Sequence, residues 1–96
     1  MMNGRLEPAE REQLLRIAFA NGAKTVKLFG SFAREQARPE SDVDLLVTLE
    51  PGRSLMDLIA IKQDTEDVLG RHVDVVTEAS LSPYLRKQVL AEATPL

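Results

Sequence analysis

An α/β (α+β) fold, a small sheet of three or more strands flanked by helices, is predicted by three features of the 96-residue chain. Segments with helical periodicity alternate with short β-prone runs. The run 43–49, VDLLVTL, is nearly continuous apolar, as a strand buried on both faces requires. Proline or glycine punctuates most junctions. The order read from the chain is helix, strand, short helical turn, strand, helix, strand, helix, with residues 1–96 forming a single domain.

Each element has a local reason. In 8–21, PAEREQLLRIAFAN, Pro8 suits a first-turn position, acids crowd the first turn and Gly22 suits the stop. Leu14, Leu15, Ala18 and Phe19 recur at helical spacing and are expected to face a core. Residues 24–29, KTVKLF, form a β-prone run ending at Gly30, a brief helical turn is expected over 31–36, and Pro39 marks a loop. After 43–49, Pro51-Gly52 makes a turn. Ser54 and Asp57 resemble a capping box, opening a helix to about Leu69 with Leu55, Leu58, Ile59 and Leu69 on one face and Gly70 as its stop. Residues 72–77, HVDVVT, are a third strand, and Ser82-Pro83 starts a last helix through about Glu92 that buries Leu85 and Val89. Met56, Ile61 and Val68 lie outside the main stripe of the long helix and read as extra core or as a partner-binding face.

Composition narrows the function. Hydrophobic residues at 44% and charged residues at 28% argue against disorder. No cysteine is present, which excludes a disulfide framework, a thiolate nucleophile and a Cys-ligated metal. The single histidine, His72, rules out a His-rich metal site and reads as structural or solvent-facing. Apolar runs break at charges well short of a membrane span, and the N-terminal residues lack the apolar stretch of a secretory signal. A cytoplasmic location is therefore expected. The net charge of −3 is scattered, without a basic patch, so no stable nucleic-acid binding and no membrane association are expected.

The main chemical signal is carboxylate placement. Asp42 and Asp44 are two apart at a strand, so both side chains project to one face. Like charges on an otherwise apolar strand repel and lose hydration, and a divalent cation compensates both costs. Mg²⁺ takes oxygen ligands from one or two carboxylates plus substrate phosphates; Mn²⁺ suits the same donors. Asp74 repeats the anomaly inside HVDVV. If 72–77 pairs with 43–49, three carboxylates meet at one end of the sheet, a set able to bridge two metals for in-line nucleotidyl transfer, with Asp74 the natural general base. Gly30-Ser31 supplies the second half: a glycine that permits close backbone approach, followed by a turn whose N–H groups and hydroxyl can bind phosphate. Arg34 adds a charge-assisted contact. A Gly-Ser turn alone, a lone DxD or a lone strand aspartate is each unspecific. GS-x10-DxD followed by a third strand aspartate is specific.

With those residues in view, GSFAREQARPESDVDLLV resembles the signature of the minimal nucleotidyltransferase (MNT) family of the polymerase-beta-type nucleotidyltransferase superfamily, and the resemblance continues through SLMDLIAIKQDTEDVLG and RHVDVVTEASLSPYLRKQVLAEA. It implies a minimal polymerase-beta-like fold with a small mixed sheet. It also implies catalytic and metal-binding roles for Asp42, Asp44 and Asp74, and nucleotide-binding roles for Gly30, Ser31 and Arg34. Glu35 stands where the family often has glycine. The resemblance further implies an antitoxin of a type VII HEPN/MNT toxin–antitoxin pair, which transfers AMP from ATP to a tyrosine hydroxyl of a HEPN ribonuclease toxin with two Mg²⁺ ions. A separate acceptor-binding domain is not expected in 96 residues, so another protein, the HEPN partner, is expected to supply the acceptor; a homodimer remains open. Competing readings are an antitoxin that neutralises by binding alone, and a nucleotidyltransferase acting on a small molecule or an RNA end. A receiver-like phosphoacceptor domain is a remoter one, since the chain is short for five βα units. Tyr84 is expected to pack its ring and expose its hydroxyl, and Lys62 to snorkel.

Overall fold

Helix α1 (Pro8–Ala20) starts at the proline whose fixed φ suits the first turn, and Glu10 closes that turn by accepting the Glu7 N–H at 2.8 Å. The computed structural model describes residues 6–38 and 40–96; Pro39, read as a loop marker, lies outside them. Strand β1 (Ala23–Phe29) is followed by a turn over 31–35, strand β2 (Val43–Leu49), helix α2 (Leu55–Leu69), strand β3 (Val73–Val76), a 3₁₀ turn (Glu78–Ser80), helix α3 (Pro83–Glu92) and strand β4 (Thr94–Pro95).

The sheet runs β3-β2-β1-β4 and is mixed: β2 pairs antiparallel with β1 and parallel with β3, while β4 pairs antiparallel with β1. The parallel pair needs a crossover, which α2 provides. The expected capping box is present: the Ser54 N–H donates to Asp57 Oδ2 at 2.9 Å and the Met56 N–H to Ser54 Oγ at 3.2 Å. Gly70 ends the helix in the left-handed region, at φ 68°. One apolar cluster joins α1 (Leu14, Ala18), β1 (Val26, Leu28), β2 (Val43, Leu45, Val47), α2 (Ile61) and β3 (Val73). β2 also buries Leu46, on the opposite side of the strand, in line with its near-continuous apolar run.

The faces of the helices differ from expectation. On α2 the buried positions are Ile61 and Thr65, flanked by half-buried Leu58 and Leu69, while Leu55 is 68% exposed and Ile59 is also exposed. The Thr65 hydroxyl donates to the Ile61 carbonyl at 2.6 Å, so a polar residue sits in the core without an unmet hydrogen bond. On α1, Phe19 is exposed. On α3, Val89 is buried but Leu85 is exposed, and Tyr84, at 72%, exposes its ring as well as its hydroxyl. The expected turn over 31–36 forms a set of backbone turns instead of a helix, closed by Arg34 N–H to Gly30 O at 3.1 Å and Gln36 N–H to Ser31 O at 2.8 Å.

Candidate active site

Register builds the site. Phe29 of β1 lies opposite Asp44 of β2, and Asp44 lies opposite Asp74 of β3, forming one row across three strands. Gly30 directly follows Phe29, and Asp42 stands one residue before β2. The predicted pairing of the DxD strand with the third strand is thus present, and it sets two carboxylates side by side.

Asp44 is half-buried, whereas Asp42 and Asp74 are exposed. Burial, together with the charge of Asp74, a side-chain hydrogen bond to it and the charge of Asp42, pushes the Asp44 carboxyl up from 3.8 to about 6; Arg34 pulls in the opposite direction. Gly30, at φ 75°, packs so closely on Asp44 that a Cβ there would collide with its Oδ2. That is a concrete reason for glycine at this position, beyond backbone freedom. Glu35, where the family often has glycine, also adopts a positive φ of 57°. The loop therefore keeps a left-handed backbone at that step despite the side chain.

Asp44 and Asp74 face each other across the β2–β3 pair, with Asp42 within electrostatic reach of Asp44. Among the described residues, no group of three or more Asp, Glu, His or Cys side chains is arranged to hold a metal ion. The three-carboxylate cluster expected from the sequence is thus present as an adjacent pair, Asp44 and Asp74, with Asp42 nearby. The donor chemistry still fits a hard divalent cation: all three are carboxylates, and a bound cation would offset both the burial that chiefly raises Asp44 and the charges of Asp74 and Asp42 that add to it.

Two residues that the sequence did not single out shape the site. Arg71 donates from Nη1 to the Ser41 carbonyl at 3.1 Å, and its guanidinium lies 5.1 Å from the centre of the Phe32 ring. It thereby ties down the segment that delivers Asp42. Glu92, the last residue of α3, accepts the Gly30 N–H on Oε1 at 3.0 Å and pairs through Oε2 with Arg34 Nη1 at 2.9 Å. The only local hint was an acid at a helix C-terminus, where the macrodipole favours a cation. Beside them lies a cleft of about 590 Å³ lined by Phe29, Gly30, Arg34, Leu85, Gln88, Val89, Ala91 and Glu92. Elsewhere, Lys62 does more than snorkel, since its Nζ donates to Glu66 and to the Val73 carbonyl. The His72 side chain is 84% exposed, as expected.

Comparison with known proteins places this geometry. The nucleotidyltransferase domain family model matches residues 10–96. A Methanocaldococcus jannaschii protein classed among the protein adenylyltransferases, MJ0435, is 40% identical over 83 residues, covering 86% of this chain and 89% of its own. The protein adenylyltransferase MntA of Thermococcus cleftensis is 39% identical over 71 residues, 74% of this chain and 72% of its own. A solved minimal nucleotidyltransferase superposes with a TM-score of 0.83 at 50% identity, covering 92% and 90% of the two chains. Two toxin–antitoxin structures share the fold at lower identity. One, with AMP-PNP, has a TM-score of 0.76 at 22% identity (88% and 69% covered); the other, a tri-AMPylated Shewanella oneidensis HEPN toxin with its MNT antitoxin, has 0.69 at 20% (91% and 68%).

The fold is that of a minimal nucleotidyltransferase. The chain belongs to the nucleotidyltransferase family, in its MNT branch, and is a nucleotidyltransferase enzyme.

Proposed function

We propose that this chain is a Mg²⁺-dependent protein adenylyltransferase, the antitoxin of a HEPN/MNT pair, which transfers AMP from ATP to a tyrosine hydroxyl of its HEPN partner. The observation that carries this reading is the row that sets Asp44 against Asp74, with Gly30 packed on Asp44 and Arg34 within its electrostatic reach. The relatives named as protein adenylyltransferases, and the MNT antitoxin solved with an AMPylated HEPN toxin, support the acceptor class.

Asp42, Asp44 and Asp74 would hold the cation, which when bound neutralises the polyphosphate and polarises the reacting phosphoryl group. Gly30, Ser31 and Arg34 bind the triphosphate through the turn and the guanidinium. The acceptor oxygen attacks the α-phosphorus, the bond from that phosphorus to the bridging oxygen breaks, and pyrophosphate leaves. The hydroxyl proton passes to Asp74, whose exposure lets an incoming side chain reach it.

The test is intact-mass spectrometry of the HEPN-domain protein after incubation with this chain, ATP and Mg²⁺. Gains in whole AMP units are expected, with Asp42→Asn/Asp44→Asn slowing transfer by at least about a hundredfold. Undiminished transfer by the double variant would sink the assignment. Exposed Leu55, Met56, Leu85 and Leu90 favour a second reading, neutralisation by contact. Silencing of the toxin by the double variant, with no mass gain, would support it.

A further inference from the structure

Glu92 occupies the groups that a phosphate needs. One carboxylate oxygen takes the Gly30 N–H and the other takes the Arg34 guanidinium, at 3.0 and 2.9 Å. A backbone N–H beside an arginine is also what a phosphate oxygen seeks. The carboxylate has little local reason to be there. It ends α3, where the helix dipole disfavours an anion, and no basic residue in the last turn offsets it. Its compensation comes from the nucleotide loop, 62 residues earlier in the chain.

The helix bearing it is lightly attached. Val89 is its one buried side chain, whereas Tyr84, Leu85 and Leu90 are exposed. Its N-terminal half is tied by Arg86, which donates to the carbonyls of Glu78 and Leu81. Beyond Glu92 the chain is held to the sheet through β4, where Lys27 faces Pro95 and Leu28 faces Thr94. Leu96 adds to this, its N–H donating to the Val26 carbonyl and its carbonyl accepting from Arg11, so this anchorage lies beyond the α3 C-terminus and not in α3 itself. The Arg34–Glu92 pair itself is open to solvent, with side chains 47% and 31% exposed, and ion pairs so exposed exchange partners at little cost.

We propose that Glu92 is a built-in competitor of the nucleotide: in the free chain it latches α3 over Gly30 and Arg34, and a nucleotide phosphate displaces it. The latch sets nucleotide affinity without entering the transfer chemistry. The proposal rests on the reading of Gly30 and Arg34 as triphosphate ligands given above.

The test is calorimetric titration of the full chain with the non-hydrolysable ATP analogue AMP-PNP and Mg²⁺. Wild type is compared with Glu92→Gln, which keeps shape and removes charge, and with Glu92→Ala; circular dichroism checks that each is folded. Both variants should bind about three- to tenfold more tightly, the upper figure equalling about 1.4 kcal/mol. A wild type that binds, with variants of equal or weaker affinity, overturns the latch while leaving the site reading intact. Absence of binding by all three chains overturns both. A measurement on the wild type needs no variant: AMP-PNP should speed amide exchange over residues 83–92, and slower or unchanged exchange there would refute displacement.

Discussion

Asp44 carries a carboxyl held at about 6 against an ordinary 3.8, chiefly by burial and by Asp74. The folded chain favours the protonated form. The penalty is therefore absent below the ordinary value, grows as pH rises between the two values, and is complete above the higher one. Asp44→Asn removes it. In metal-free buffer near neutral pH the variant is expected to melt about 5 °C higher than wild type, after discounting for half-exposure, while losing transfer activity. A melting scan at acid and neutral pH checks this, since the gain should vanish at about pH 4. Gly30→Ala should act in the opposite direction. Its left-handed backbone costs about 1–2 kcal/mol for an L-residue and its Cβ meets Asp44, so a fall of at least about 5 °C is expected. The carboxylates were legible in the sequence because charge inside an apolar strand is anomalous locally. Glu92 and Arg71 were not, because each acts on a loop 30 or more residues away, and only folding brings them there.

At the scale of elements, starts and stops were readable and faces were not. Ser54, Asp57, Gly70, Ser82 and Pro83 act through bonds within a few residues, and all behave as their chemistry dictates. Which side of α2 is buried depends on the sheet beneath it. Hydrophobicity favoured the stripe through Leu55 and Ile59, but the crossover from β2 to β3 turns Ile61 and Thr65 inward. A direct check follows. Ile61→Ala should lose about 2–4 kcal/mol in urea unfolding, whereas Leu55→Ala should stay within about 0.5 kcal/mol. Equal losses would mean that the buried face has been misassigned. The exposure of Leu85 has the same origin: α3 packs by one edge, so a periodic apolar pattern overstates its burial.

The whole molecule is ordered by pairings between distant segments. Strand order and the parallel β2–β3 pair leave no periodic mark in the sequence, and β4, two residues long, has no signature at all. No helix among the described residues is long and apolar enough to cross a membrane.

The order β3-β2-β1-β4 also decides how the sheet presents itself to other chains. One border is β3, four residues long with Asp74 exposed on it; the other is β1, shielded in part by Thr94 and Pro95 and carrying exposed Lys24 and Lys27. Short borders studded with charge, one of them guarded by a residue that has no N–H to donate, make poor templates for strand addition. Borders of this kind disfavour strand addition, which leaves the helices and turns as the surfaces better suited to receive a partner and keeps the sheet as the scaffold beneath them.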